Sequence, residues 1–308
     1  MPGRRRLRDL PYLLLILAPL FWSGNFIVGR AVRDTVPPVA LAFWRWFGGF
    51  TAVIAFAAPH LRHDWRAILR HWPILCVLAA TGIAAYNTFL YLGLATTTSI
   101  NALLLQSTMP LVILVCSFAL FGERPGIAQI AGVLLSLAGV LVIIGRGDLA
   151  MLGALRFDAG DLWVFAAVVS YALYSALLRR RPPIHALSFL AVTFFLGWAL
   201  LIPFYLHELE SGAAPRLDAT TVSAVLYVAV LPSAVAYLCW NRGVELVGAN
   251  RAGQFMHLLP VFGSVLAVLV LGEAFRPFHA AGAALIFCGI ALAQFRPAAP
   301  ASGGRRSS

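Results

Sequence analysis

The sequence predicts an all-α integral membrane protein with ten transmembrane helices arranged as two inverted five-helix repeats. Four observations predict this. Of 308 residues, 61% are hydrophobic and only 11% charged, where an ordinary soluble domain carries about 25% charge. The apolar residues fall in runs of about twenty, enough to cross a hydrocarbon core of ~30 Å at ~1.5 Å per residue. The chain also repeats itself 150 residues on. Gly93, Ala102, Pro110, Gly122-Glu123, Gly132 and Gly139 recur as Gly243, Ala252, Pro260, Gly272-Glu273, Gly282 and Gly289. Finally, arginines alternate in density between successive apolar runs. Five spans per copy is an odd number, so the second copy lies upside down relative to the first, an arrangement common in secondary transporters.

The first span, 12–32, follows the basic stretch Arg4, Arg5, Arg6, Arg8. That stretch resembles the start of a signal peptide, but the apolar run continues past Phe26 and no small-residue cleavage site follows, so the span is retained. Pro37-Pro38 opens the second span, 38–58, and Trp72-Pro73 the third, 73–93. The fourth, 98–121, ends at Gly122-Glu123, and Arg124-Pro125 precedes the fifth, 126–145. Residues 146–159, rich in Gly and charge, mark the break between a first repeat at 12–145 and a second at 160–295. In the second repeat the spans lie at 160–179, 184–206, 219–241, 248–271 and 277–295, with Pro182-Pro183 and Arg276-Pro277 as breakers. Several links hold only four to six residues, which makes neighbours antiparallel hairpins. The tail 297–308 reads as a disordered cytoplasmic segment.

With the N-terminus inside, sixteen arginines fall on inside segments: Arg4, Arg5, Arg6, Arg8, Arg62, Arg66, Arg70, Arg124, Arg179, Arg180, Arg181, Arg242, Arg251, Arg296, Arg305 and Arg306. Six fall outside: Arg30, Arg33, Arg146, Arg156, Arg216 and Arg276. This bias expects an even span count with both termini cytoplasmic. It also accounts for the net charge of +11, carried without a single Lys, so no nucleic-acid partner is inferred. The four cysteines (Cys76, Cys116, Cys239, Cys288) form no CxxC pair and read as buried thiols packing as small hydrophobes. No cofactor or metal motif occurs, and no GxxxxGK[ST] for direct ATP use. No carboxylate lies mid-span. The His60–Asp64 cluster, the nearest thing to an acid/base set for a lipid-modifying membrane enzyme, reads as a solvated basic loop.

The order of motifs resembles the EamA domain of the drug/metabolite transporter superfamily. The resemblance rests on Trp22-Ser23-Gly24 in span 1, Pro37-Pro38 and Arg45 at span 2, then a small-residue helix with a mid-span Pro, a Gly-Glu turn and a Gly-rich helix, the last three duplicated. The second copy departs from it early, with Tyr171 near the Trp22 position and Phe194 near that of Arg45. The resemblance implies a ten-helix carrier in a bacterial inner membrane, exporting amino acids or related small metabolites. A drug or nucleotide-sugar-like solute is the alternative within the same fold.

Polar groups inside a bilayer are costly unless they meet partners or water, so they are the candidates for function. Asn250, Gln254 and His257 fall at i, i+4, i+7 and share one face of span 9. His257 suits either a proton relay or an uncharged interhelical bond. Asn87 and Tyr91 on span 3 map onto Tyr237 and Asn241 on span 8, an amide and a phenol one turn apart in reversed order, and are expected to face one another across a pocket. Trp22 and Asn25 on span 1, Tyr171 and Tyr174 on span 6 and Gln106 on span 4 complete the expected substrate site. Pro110 and Pro260 are read as hinges. Glu123 and Glu273 are read as local helix caps, with gating as the sharper alternative. Arg45 is expected to tie helix ends or attract anions at the outer vestibule. Trp44, Trp46, Trp65, Trp72 and Trp163 are read as an interfacial belt, and the Gly132/Gly139/Gly282/Gly289 set as close-packing positions. Proton coupling, and a monomer as against a homodimer, are left open.

Overall fold

A computed structural model describes residues 10–294 apart from 33, 149, 151–157, 217 and 272–273. Glu273, most of the 146–159 linker, the 297–308 tail, and Arg4, Arg5, Arg6, Arg8, Arg33, Arg156, Arg296, Arg305 and Arg306 lie outside the described residues. Ten helices are long and apolar enough to cross a membrane. They are α1 (Pro11–Ala31), α2 (Pro38–Arg70), α3 (Trp72–Thr96), α4 (Ser99–Ser107 continuing as Met109–Phe121), α5 (Ile127–Ile144), α6 (Ala159–Leu177), α7 (Ala186–Glu210), α8 (Ala219–Val247), α9 (Ala249–Ala252, Gly253–His257 and Leu258–Leu271) and α10 (Pro277–Gln294). No strand occurs among the described residues. One end of the bundle gathers Arg62, Arg66, Arg70, Arg124, Arg179, Arg180, Arg181, Arg242 and Arg251 and is called the basic end below.

The packing has the symmetry that the repeat implies. Equivalent helices pair directly, α2 with α7 and α5 with α10. The rest pair crosswise: α3 with α6 and α8 with α1, and α4 with α6 and α9 with α1. Each repeat thus lends its first helix to the other, and the two copies interleave.

Apolar packing alone gives little preference between helices in lipid, so close approach through small residues supplies specificity. At α5–α10, a Cβ added at Gly132 would stand 2.5 Å from the Gly289 carbonyl oxygen, and one at Gly139 2.5 Å from that of Gly282. The two backbones are in contact at both levels, as the recurring glycines lead one to expect.

Regular helix breaks at symmetric places. In α3 the segment Ala80–Ala85, and in α8 Ala229–Val235, widen into π-turns 150 residues apart. The α4 helix is interrupted at Thr108, and α9 tightens to a 3₁₀ turn at Gly253–His257. Pro110 and Pro260 sit in the first turn of the α-segments that follow, where no intrahelical N–H is required.

Several expectations are corrected. The α2 helix runs for 33 residues to Arg70, so the His60–Asp64 stretch is the helix's polar extension rather than a loop. There Asp64 accepts a hydrogen bond from the His185 backbone N–H at 2.9 Å, and the His60 and His185 rings stack at 3.6 Å. Trp46 is fully buried and not a belt residue, whereas Trp65, Trp72 and Trp163 are exposed as expected. Trp44 is half-buried, its indole donating to the Tyr205 hydroxyl. Of the four free thiols, Cys239 is buried, Cys76 and Cys116 are partly buried, and Cys288 is exposed. The polar first turn of α2 is closed by a residue that the sequence did not single out: Glu208, at the end of α7, accepts from the N–H groups of Val39 at 3.0 Å and Ala40 at 2.6 Å. A carboxylate there complements the positive helix end.

Candidate functional site

A cavity of about 420 Å³ opens at the basic end. Its walls come from α4 (Ser117, Phe121), α6 and the turn after it (Ser175, Arg179, Arg181), and α8 (Asn241, Val244, Glu245). Two ion pairs stand at its mouth, Arg179 with Glu123 and Arg181 with Glu245, the latter at 3.2 Å. Glu123 also accepts from the Asn250 side chain at 3.3 Å. It therefore does not cap α5; the side chain of Gln129 takes the Gly126 N–H instead, at 3.0 Å. The sequence reading of Glu123 as a local cap is corrected accordingly.

The inner wall of the cavity is polar. The Tyr174 hydroxyl donates to the Asn241 side-chain oxygen at 2.8 Å. That leaves the Asn241 amide nitrogen and the Ser175 hydroxyl buried without a protein partner. Buried donors are normally satisfied, so these two groups suit a polar solute.

Beyond Asn241 the path is filled. Trp22, Tyr171, Tyr174, Tyr237 and Trp240 form one aromatic cluster, with centroid separations of 5.4–6.1 Å. Tyr86 joins through Tyr171 at 4.7 Å, and Trp46 through Tyr237 at 5.3 Å. Edge-to-face pairs such as Trp22–Tyr171 contribute about 0.5–1.5 kcal/mol beyond the area they bury. The two π-turns anchor the polar edges of the cluster. Their widened turns offer carbonyls sideways, so Tyr237 donates to Gly82 O at 2.6 Å and the Trp22 indole to Pro232 O at 2.8 Å. Gly82 is required here, because a Cβ would stand 2.3 Å from the Tyr174 ring. Asn87 bonds back to Ile83 O at 3.2 Å. The expected face-to-face arrangement of the Asn87/Tyr91 and Tyr237/Asn241 stripes is formed only in part: Asn87 meets the Tyr237 phenol, while Tyr91 turns to Asn25 and Asn241 to Tyr174.

Above the aromatics, toward the other end, Arg45 is buried in a knot of neutral acceptors. Its guanidinium donates to Ser233 Oγ at 2.7 Å, Asn25 Oδ1 at 3.1 Å, the Tyr91 hydroxyl at 3.0 Å and Pro232 O at 3.3 Å. The Tyr91 hydroxyl also donates to Asn25, at 3.2 Å. This knot joins α1, α2, α3 and α8. The pair Asn25–Tyr91 here and the pair Tyr174–Asn241 at the cavity are symmetry equivalents, with amide and phenol exchanged. At the cavity pair the Arg45 position is taken by Phe194, which packs on Trp46 and Tyr237.

The remaining expected residues lie elsewhere. His257 is fully buried between α4 and α5, with Nε2 2.8 Å from Ser107 O and Nδ1 2.6 Å from Ser136 Oγ. A carbonyl only accepts, so Nε2 carries a proton; Nδ1 meets a serine hydroxyl that also lies 2.9 Å from Gly132 O. Gln254 donates to Gln129 O at 3.4 Å. The 3₁₀ turn rotates these side chains away from the cavity, so the expected Asn250–Gln254–His257 stripe is spread over three different partners. Gln106 is buried on α4 beside the Tyr86 phenol. Of the eleven residues expected at the site, Asn241 lines the cavity, Trp22, Tyr171, Tyr174 and Tyr237 form its ceiling, and Asn25 and Tyr91 belong to the Arg45 knot. Glu245, Arg181 and Ser175 were missed. The first two look like topological charge in sequence, and only the fold brings them together.

Known proteins share this architecture. A family model described as the EamA-like transporter family matches residues 9–145 and again 158–295. An uncharacterized transporter of Archaeoglobus fulgidus is 30% identical over 91% of this chain and 96% of its own. A probable terminal-alkyne amino-acid exporter of Streptantibioticus cattleyicolor is 28% identical, covering 90% and 91%. A probable amino-acid metabolite efflux pump of Escherichia coli is 26% identical, covering 92% and 94%. With two family matches that span nearly all of its length, ten apolar helices and relatives named as transporters rather than enzymes, the chain belongs to the EamA-like transporter family.

Proposed function

We propose that the protein is a secondary carrier that exports amino acids or related small metabolites across the inner (plasma) membrane, with the basic end in the cytoplasm. The observation that carries this is the cavity. It opens at the basic end and finishes, between the interleaved repeats, at an amide nitrogen and a hydroxyl without partners. The aromatic cluster and the Arg45 knot close it beyond that point. This is what an inward-open state of an alternating-access carrier requires. Two relatives named for amino-acid export support the substrate class.

Crosswise packing suggests which parts move. The paired helices α2–α7 and α5–α10 form a frame. The groups α1–α8–α9 and α6–α3–α4 lie within it and tilt about the breaks at Pro110, Pro260 and the two π-turns. Closing the basic end brings Glu123, Arg179, Arg181 and Glu245 together across the mouth. His257 acts in this reading as a clamp between helix breaks, and no proton path is assigned to it.

Purified protein in liposomes, loaded with unlabelled amino acids, should take up labelled amino acid by counterflow. Asn241→Ala and Tyr174→Phe should each lower that uptake several-fold. Unchanged uptake in both would remove the cavity as the binding site, and a wild-type protein that exchanges no amino acid would remove the substrate class. If drugs or nucleotide sugars then exchange instead, the carrier reading stands with that substrate.

A further inference from the structure

We infer that Arg45 is a carboxylate-binding residue whose present bonds are a placeholder for the substrate: the Arg45 knot and a substrate carboxylate compete for the same guanidinium. The inference rests on the carrier reading and narrows it to solutes that bear a carboxylate.

Arg45 is 1% exposed, and its four hydrogen-bond partners, Ser233, Asn25, Tyr91 and Pro232 O, are all uncharged. Its ring contact, with Trp46 at 4.9 Å, is also neutral. Burying a charge is expensive, and an opposite charge at close range offsets the cost far better than dipoles do. A lock that only had to tie α1, α2, α3 and α8 together could use a neutral amide in that place, because uncharged acceptors bond to neutral N–H donors as well. The charge is therefore surplus to the closed state. It becomes useful when the knot opens.

Opening that end separates α1, α3 and α8 from α2. This pulls Asn25, Tyr91, Ser233 and Pro232 O away from a guanidinium that stays on the frame helix α2. A planar fork is then left in the vestibule, directly above the aromatic cluster, with the geometry that pairs bidentately with a carboxylate. When the end closes again, the four neutral acceptors return to the same N–H groups and displace the carboxylate. The second repeat shows the asymmetry that this requires. The equivalent position is Phe194, so no guanidinium is hydrogen-bonded into the matching Tyr174–Asn241 pair, and Arg181, which lines the same cavity, is already paired with Glu245. A ligand that binds one state better shifts the population toward that state. A carboxylate should therefore favour the state open at the Arg45 end.

The test compares solutes that differ only at the carboxyl group, in liposomes holding wild type, Arg45→Lys or Arg45→Gln. The panel is an amino acid, its amide, and an organic acid of similar size without the amine. Wild type is expected to take the amino acid with a KM about tenfold or more below that of its amide, the worth of one charge-assisted bond. Transport of the plain organic acid would identify the carboxylate alone as the recognised group; its exclusion would show that the amine is read as well. Arg45→Lys should keep the preference in weakened form, and Arg45→Gln should bring acid and amide to equal KM. Arg45→Gln with the wild-type acid-to-amide ratio overturns the inference, as does a wild type that takes both equally well. If Arg45→Gln does not fold, the wild-type and Arg45→Lys ratios decide. A wild type that moves none of the panel defeats the carrier reading itself, an outcome distinct from a carrier indifferent to the carboxyl group.

Discussion

If His257 is a clamp and not a proton relay, replacing it should cost stability and leave pH coupling untouched. The ring is fully buried and makes two bonds, at 2.6 Å to Ser136 and 2.8 Å to Ser107 O. Interhelical bonds in membranes average about 0.6 kcal/mol each, which sets a floor of about 1 kcal/mol for the pair. His257→Ala does more than delete them. It strands a carbonyl at the α4 break, where the proton of Nε2 was its partner, at a cost of about 1–3 kcal/mol for an orphaned buried group. The expected loss is thus about 1–4 kcal/mol, or roughly 2–6 °C in melting temperature for a chain of this size. Ser136→Ala, which leaves the carbonyl bond intact, should lose less. The assays are thermal melting in detergent, and flux in liposomes with and without an imposed pH gradient. The reasoning is refuted if His257→Gln melts like wild type and its flux loses a pH-gradient dependence that wild type shows.

Four further outcomes follow from the same geometry. Gly139→Leu should destabilise the α5–α10 contact by about 1–3 kcal/mol or prevent assembly, since even a Cβ would stand 2.5 Å from Gly282 O; size-exclusion profiles and melting read this. In a cysteine-free background, Asn241→Cys should react with an impermeant thiol reagent applied at the basic end, while Asn25→Cys, inside the Arg45 knot, should be protected, and equal labelling of both would contradict the closure. Burial, helped by the neighbouring His60, holds the His185 pKa below its usual value against the opposing pull of Asp64. A depressed histidine stabilises the fold above its unfolded pKa of about 6.5, and the contribution is lost as pH falls through the folded value. Melting temperature should accordingly drop more steeply on acidification in wild type than in His185→Phe, which keeps the ring stacking. Asp218, held below the usual carboxylate range by the Thr221 backbone N–H at 2.7 Å, contributes above its unfolded pKa of about 3.9 and fades only as pH falls through its lower folded value. The stability gap between wild type and Asp218→Ala should therefore be flat from pH 8 to 5.

Much of the frame was legible because its signals are local. Apolar runs, breakers such as Pro37-Pro38 and the glycine spacing on α5 and α10 each act within one helix or one hairpin. The amide–phenol pairs were legible as residues but not as partners. Placing Tyr91 beside Asn25, and Tyr174 beside Asn241, depends on α1 and α6 crossing into the opposite repeat, and nothing in a single helix encodes that. The π-turns were not legible either. A π-turn costs a regular hydrogen bond that packing has to repay, and one of the two contains Pro232 while the other contains Gly82 and no proline. The 3₁₀ turn in α9 defeated a reading based on the α-helical period, which is why His257 left the cavity while Asn241 stayed. The polar end of α2 resembles a loop in sequence because three His and three Arg crowd 60–71 around Asp64; its helix is held by Leu61 and Ile68 packing on the core and by the Asp64–His185 bond.

Under the proposed alternating-access mechanism, the duplication would give one chain two ends that close in turn, and its imperfections would make the ends differ. A strictly symmetric carrier would close both ends with the same residues and would have no built-in difference between them. In that mechanism the shared elements, the prolines, the α5–α10 glycines and the paired π-turns, would serve both halves alike. The unshared ones sit at the two amide–phenol pairs. One pair carries a buried cation on the frame helix; the other has a phenylalanine there, and ion pairs stand further out at the mouth. Closing the Arg45 end satisfies every acceptor in a buried knot, whereas closing the basic end must desolvate Glu123, Arg179, Arg181 and Glu245 together. Desolvating charges costs more than joining neutral dipoles to one cation that is already buried. The empty protein should therefore rest with the Arg45 end shut and the cavity facing the basic end, in keeping with the cavity there and the burial of Arg45. Neutralising the mouth with Glu123→Gln and Glu245→Gln should weaken that preference and raise labelling of Asn25→Cys, and unchanged labelling would show that the ion pairs do not set it.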